Sequence, residues 1–456
     1  MVRFLKWLLA AALVLVLCVA GAYVLSRALG ASGAEREALA LLDQPPAPPA
    51  RDGFAALYTA SHDIPEGEQV SLVAEEVRRF KATPLRRDGS SDWSSLLQER
   101  PSLAVTRDGD PAWCNLRGAD CLGQGQVRGA RDAYAGLLER NARALDRAEA
   151  LHGYDGFPNP FPPRLDMPLP GFQVLTRLTT RTAWRFAEGQ ADLALADACR
   201  DVATGRQLIE SGDSLVGSMI GAAMVQGNAQ LLAQMLAELP REHPLPEQCR
   251  QAFERPVALE QGVCRTMLSE GRFMAGGLRT QVNAEVAASA VEHEVPAWAL
   301  GLLFDPERTA ARAAPTFAWY CGGEARRQLA QDQPLRDPTP PRSRRSLACV
   351  SNAIGCILAD IASPAYAEYG MRLQDADARL RTVAALLWLR DQDGPIDAAA
   401  LERVPAALRS PARPFQQDLE AGTLGTPVFW AKGADADGSW SVPLPASRLQ
   451  PAAPSP

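Results

Sequence analysis

Residues 7–25, WLLAAALVLVLCVAGAYVL, carry no charged side chain, and the next one after them is Arg27. At a rise of about 1.5 Å per residue, a helix of this length just crosses a hydrocarbon core about 30 Å thick. Arg3 and Lys6 stand in front of it. Cations on that flank favour an amino end kept in the cytoplasm and a body sent across. The expectation is therefore a single-pass anchor in the inner membrane, residues 1–27, with the body in the periplasm. A cleaved signal sequence is the competing expectation, because Ala20-Gly21-Ala22 offers a small-x-small site. Lipidation at Cys18 is the weakest of the three, since Leu17 stands where a small residue is wanted. Anchor and cleaved signal alike export the rest of the chain.

Cysteine usage agrees with export. Beyond Cys18 the body holds Cys114, Cys121, Cys199, Cys249, Cys264, Cys321, Cys349 and Cys356, an even set that suits an oxidising compartment. None forms a CxxC, so neither a zinc ribbon nor a thioredoxin-like site is expected. Cys114 and Cys121 flank NLRGAD, a loop able to fold back into a local disulfide. Cys349 and Cys356 have the same spacing, but seven residues along one helix are about 10 Å apart, beyond disulfide reach. They pair only if Cys349 precedes the helix. Cys249 and Cys264 fail the same distance test, so their partners must lie on other helices. A few buried free thiols are the alternative.

The remainder reads as helix upon helix. GAEREALALLDQ is a short helical stretch, and PPAPPARDG after it makes residues 28–52 a stiff spacer between membrane and body. Helical periodicity then marks residues 70–80, 127–151, 172–188, 191–210, 214–239, 246–270, 276–292, 305–331 and 350–391. Gly189 and Gly212 stand where a left-handed residue would end a helix. Asp305-Pro306-Glu307 is a cap followed by a first-turn proline. Pro315 should kink or divide the helix that follows, and Ser363-Pro364 should split the last one in two. PLRDPTPPRSRRS, residues 334–346, reads as a linker between a domain at 53–333 and a carboxyl-terminal unit at 347–446. Within 424–444, two strand-like runs around a Gly/Asp turn suggest a β-hairpin, and residues 447–456 read as a disordered tail. The fold class expected is mostly α, a helical-hairpin array with one amino-terminal transmembrane helix and a small carboxyl-terminal β-hairpin.

Candidate chemistry is sparse. Residues 212–215 spell GDSL, the string of a serine esterase family, with Ser214 in the nucleophile's place. Leu195, Cys199, Val202 and Ile209 put a helix, not a strand, before it. The downstream histidines, His243 and His293, lack the aspartate three positions earlier that the family's base motif requires. A turn explains every letter: Gly212 ends one helix and Asp213 or Ser214 caps the next. Gly217, Gly221 and Gly227 suggest close packing of soluble helices, because Gln226, Asn228 and Gln230 rule out a membrane span. His62-Asp63 reads as a capped turn, and His293 lacks a second histidine for zinc. DADG, residues 435–438, lacks the later ligands of a calcium loop. Glu75 and Glu76 are adjacent on a helix and point apart. Trp430 and Trp440 could share a hairpin face that binds sugar or peptide, although cross-strand packing explains them as well. No catalytic, metal or cofactor-binding residue is assigned, and there is no P-loop or dinucleotide glycine fingerprint. A net charge of -6 argues against a nucleic-acid partner.

Three fragments, CLGQGQVRGARDAYAGLLERNARAL, LLFDPERTAARAA and SPARPFQQDLEAGTL, resemble exported helical envelope proteins of Gram-negative bacteria that have no assigned activity. The resemblance is spread over residues 53–430 and implies a shared helical architecture without functional residues. Two functions follow as expectations. The first is a membrane-anchored periplasmic scaffold that meets an unidentified envelope partner. The alternative is an envelope hydrolase acting on polymer or lipid through acidic residues.

Overall fold

Helices hold 64% of the chain. The computed structural model describes every residue except 1, 87–88, 117–120, 124–126, 293–295, 340–342, 344–345, 363–365, 411, 419, 431–437 and 446–456. α1 is one unbroken helix, Val2–Leu29. Its mean hydropathy reaches 2.7 with none of that window buried, and among the described residues it alone is long and apolar enough to cross a membrane. α2 (Gly33–Asp43) opens on a capping box, in which the Glu35 N–H donates to Ser32 Oγ and the Ser32 N–H to Glu35 Oε2. The helix expected at GAEREALALLDQ is thus present ahead of the proline run. Its Leu42 is buried with Leu215, Ala314, Phe317 and Tyr366, so apolar burial holds residues 33–43 against the body.

α3 (Phe54–Thr59) and α4 (Glu66–Ala82) enclose a small aromatic cluster, with Phe80 edge-on to Trp93 and Phe161 at 5.4 and 5.5 Å. The single helix expected over 127–151 is divided into α5 (Arg131–Arg140) and α6 (Ala142–Ala150). Asn141 stands at the break. Its side chain accepts from the Val105 N–H and donates to the Val105 carbonyl, both at 2.9 Å. A distant strand of chain thus competes with the local helical ladder.

α7 (Gln173–Ala187), α8 (Ala191–Ser211) and α9 (Leu215–Glu238) fall where the periodicity put them. Gly189 (φ +80°) and Gly212 (φ +61°) take the left-handed conformation at the two junctions. α10 (Glu247–Phe253) and α11 (Leu259–Gly277) replace the helix expected over 246–270. Pro256, which has no N–H to offer a ladder, lies between them. α11 continues through a π turn, Leu278–Val282, into α12 (Asn283–Glu292), and α13 (Ala297–Gly301) is a short turn of helix. α14 (Pro306–Ala318) starts as expected, the Asp305 carboxylate accepting the Arg308 N–H at 3.1 Å. It runs through Pro315, and the division comes later, after a three-ten turn at Trp319–Cys321 and before α15 (Gly323–Ala330). So close to the end of α14, proline removes a ladder bond with little helix left to disrupt. α16 (Ala353–Ala362) and α17 (Ala367–Arg390) are separate helices, and the Ser363-Pro364 restart between them lies outside the described residues. α18 (Ala398–Arg403) is short.

The expected hairpin has a third strand. β1 (Gln416–Asp418), β2 (Thr423–Pro427) and β3 (Ser439–Pro443) form an antiparallel sheet in that order, with Gln417 opposite Leu424 and Leu424 opposite Val442. β1 is polar and only three residues long, so no alternation announces it.

α9 buries residues along most of its length and lies at the centre, with α7, α8, α11, α17 and β3 packed about it. Its Gly221 meets α8 backbone to backbone: a Cβ there would stand 2.5 Å from the Gly205 carbonyl oxygen. One apolar cluster runs from Cys114 to Val442, so helices on both sides of residues 334–346 share a core. Leu335, inside that stretch, is fully buried and donates its N–H to Gln374 Oε1 at 3.0 Å. The sheet is pinned to α17 by charge as well. Asp375 accepts from Arg413 Nη1 at 3.0 Å and from the Phe429 and Trp430 N–H groups at 2.8 and 3.0 Å. Arg413 also pairs with Asp332, which satisfies a guanidinium buried at 1% exposure.

The eight body cysteines fall into four pairs at disulfide distance. Cys199–Cys249 joins α8 to α10 across 50 residues, and Cys264–Cys321 joins α11 to the turn after α14 across 57. In the chain-entropy view, loops of this length give about 4 kcal/mol each. Cys114–Cys121 closes locally, and Cys349–Cys356 is possible because Cys349 lies in a three-ten turn, Leu347–Cys349, ahead of α16. Cys18 is free.

Candidate functional site

A cavity of about 390 Å³ lies beside the GDSL turn. The end of α8 and one face of α11 form its floor, the proline run Pro45–Pro49 crosses one side, and Asp155-Gly156 closes another. Local chemistry fixes each wall. Gly212 must be glycine, since a Cβ there would meet Arg265 Cβ at 2.6 Å and the Gly262 carbonyl at 2.8 Å. The proline run is tied down at its start by Arg272, whose Nε donates to the Leu42 carbonyl at 2.9 Å while Nη2 reaches Gln44 O. Residues 51–53 are stitched to 155–156 by the Gly53 N–H to Gly156 O and Asp155 N–H to Arg51 O bonds, both 2.9 Å.

Ser214 is not the group this cavity displays. Its Oγ accepts the Gly217 N–H at 3.0 Å and caps α9, and it is absent from the cavity lining. The neighbouring Asp213 does line it. Asp213 Oδ2 accepts the Phe157 N–H at 2.6 Å, and the Ser269 hydroxyl donates to its carbonyl at 2.6 Å. Burial pushes the Asp213 carboxyl above its ordinary range, against the lowering effect of the Phe157 N–H.

Two further carboxylates border the cavity. Asp155 accepts from Arg51 Nε and Nη2 at 3.1 and 2.9 Å, and that pairing holds it below the usual range. Glu210 is raised by burial, but the Arg255 fork at 2.8 and 2.7 Å, the Ala258 N–H and Arg206 outweigh this and bring it below its ordinary value. One acid is thus held up while two are held down, each of the two by an arginine. An acid with a raised pKa beside an ionised one is a pattern that acid–base chemistry uses. Sequence reading gave Asp213 only a capping role, because nothing in the string foretells that the Phe157 N–H reaches its carboxylate.

Other singled-out residues fall apart from this site. Asp63 pairs with Arg143 at 3.0 Å, and burial lowers His62, so the two make no catalytic dyad. His243 meets Asp192 at 2.9 Å on the surface. His293 and Asp435–Asp437 lie outside the described residues. Trp440 is buried opposite Thr426 with Arg379 over its ring at 5.7 Å, whereas Trp430 lies past β2 with Arg372 over it at 3.9 Å. Gly217 packs on Phe172 and Gly227 on Leu116, consistent with soluble helix contacts. Among the described residues, no group of three or more His, Cys, Asp or Glu side chains is placed to hold a metal ion.

A second feature lies where α1 meets the body. Ser26, fully buried, shares a 2.8 Å hydrogen bond with the Ser351 hydroxyl and accepts the Ser351 N–H at 3.1 Å. Arg308 spans the joint, donating to the Ser26 and Ala348 carbonyls at 3.2 and 2.9 Å and to Ser351 Oγ at 2.5 Å. α1 and the body are therefore one packed unit at this point.

No family model matches the chain, and no curated protein or solved structure is significantly similar to it.

Proposed function

We propose that this chain is a single-pass inner-membrane protein whose helical body stands in the periplasm and serves as an interaction scaffold. It presents packed helical hairpins to an envelope partner. The observation that carries this reading is the joint at Ser26. A tethered enzyme gains from a loose linker, whereas Arg308, Ser351 and Ser26 hold the body at one attitude to α1. A fixed attitude suits a surface that must meet a membrane-bound partner. The four cysteine pairs support an oxidising compartment for the body. Asp155 and Glu210, each held by an arginine, act as struts in this reading.

One observation favours the alternative, an envelope hydrolase: Asp213 is half-buried, raised in pKa and lines the cavity beside two ionised acids. Complementation of a deletion strain separates the two. Asp213→Asn keeps an oxygen to accept the Phe157 N–H, so a scaffold carrying it should still complement. A body released by a cleavable signal in place of α1 should not. The hydrolase reading expects the opposite pair of results.

A further inference from the structure

Beside the foot of α1, which packs on the Leu347–Cys349 turn, the body leaves a set of aliphatic side chains partly exposed. Leu302 and Leu303 follow α13, Leu347 and Val350 lie in the three-ten turn and its end, and Ile357 and Ile361 lie on α16. These segments are held together. The Ile354 N–H donates to the Leu303 carbonyl at 3.0 Å, Cys349 is bonded to Cys356, and Asp305 N–H donates to Asn352 Oδ1 at 2.8 Å. Ile357 and Ile361 are one helical turn apart, 45% and 64% exposed, on a single face of α16. The helix's one charged residue, Asp360, turns away to Arg312 at 3.2 Å. An outward face of a soluble helix that is apolar and free of charge needs an apolar neighbour.

The chain itself says which neighbour. The uncharged run ends at Leu25, and Ser26, the next residue, is the one buried against Ser351. If residues 7–25 fill the hydrocarbon core, Ser26 lies at its edge, and the turn packed on Ser26 lies in the headgroup layer. We propose that Leu302, Leu303, Leu347, Val350, Ile357 and Ile361 form a collar around the foot of α1 that dips into the bilayer surface on the body's side. Interfacial helices bury their apolar face about 5–10 Å into that layer. The collar fixes the tilt of the body through lipid contact as well as through the Ser26 joint.

This inference rests on the reading of α1 as a membrane span, and the test keeps the two apart. Full-length protein with Cys18→Ser is placed in phospholipid nanodiscs, with a nitroxide at Leu15→Cys, Ile361→Cys or Val70→Cys in turn. Collision with oxygen, which prefers lipid, is compared with collision with a water-soluble nickel chelate. Ile361 should favour oxygen, as Leu15 does, while Val70, exposed on α4, favours the chelate. A lipid-like Leu15 with a water-like Ile361 overturns the collar and leaves the anchor standing. A water-like Leu15 removes the anchor and the collar with it. Leu302→Cys repeats the measurement should the Ile361 variant fold poorly.

Discussion

Replacing Gly221 by alanine would set a methyl carbon 2.5 Å from the Gly205 carbonyl oxygen and 2.9 Å from Leu208 Cβ. Ordinary contact begins at 3.4 Å, so α8 and α9 must part by about 0.9 Å. The obstructing oxygen belongs to the α8 backbone, and α8 is itself packed on α7, α10 and α11, so it cannot swing aside as a side-chain tip would. Overpacking costs about 1–3 kcal/mol, and a backbone clash belongs near the top of that range. Alanine returns about 1 kcal/mol of helix propensity, which leaves a net loss of about 2 kcal/mol. Gly136 in α5 is the matched control. A Cβ there meets only Arg140 Nη1, at 3.2 Å, on a flexible arm. Gly136→Ala should therefore stabilise by about 0.5–1 kcal/mol. With an unfolding entropy of about 2.1 cal/mol/K per residue over roughly 400 residues, these changes move Tm down by about 2–3 °C and up by about 1 °C. Scanning calorimetry of the solubilised full chain reads both. A Gly221→Ala variant that melts at or above the parent temperature would refute the backbone-to-backbone contact.

Three further outcomes follow from the same structure. Under denaturing, non-reducing conditions a maleimide should count one thiol, Cys18, out of nine cysteines, and a count of three or more would mean a broken pair. Asp201 is buried, and desolvation first, then the nearby Asp197 charge, hold its carboxyl well above the ordinary 3.8. The folded state therefore keeps a proton that the unfolded chain has lost, so this group's stabilising effect is full below 3.8 and fades as pH rises through the folded value. Asp201→Asn should abolish that fade and gain stability relative to the parent as pH rises from 5 to 8; urea melts at pH 5 and 8 that show no such gain would contradict it. Ser214→Ala should cost about 1 kcal/mol through loss of the α9 cap. It should leave any turnover of a nitrophenyl ester unchanged, and a lost turnover would restore Ser214 as a nucleophile.

How far the sequence foretold this molecule depends on whether the cause was local. Apolar periodicity placed α7, α8 and α9 within a residue or two, Gly189 and Gly212 marked their boundaries and Asp305 the start of α14, because caps and left-handed glycines act through neighbours in the chain. The break at Asn141 was hidden, since the apolar stripe runs on while Val105, 36 residues away, draws the side chain off. Pro256, between α10 and α11, was a local signal that the single helix expected over 246–270 ran across. β1 is polar and short, and only pairing with β2 makes it a strand. The distance argument for the cysteines was geometric, so it excluded pairings within one helix, but it left the partners of Cys199 and Cys321 open. The cavity was the least legible. Asp213 acquires its character from Phe157 and burial, and the Ser26 joint depends on Arg308 and Ser351, more than 280 residues along the chain.

The orientation of α1 underlies the whole account, and paired fusions at the carboxyl end measure it directly in cells. Alkaline phosphatase, which matures only outside the cytosol, should be active and remain with the membrane fraction, while β-galactosidase at the same position should be inactive. Active β-galactosidase would put the body, its cysteines and its collar on the cytosolic side, and would contradict the account at its root.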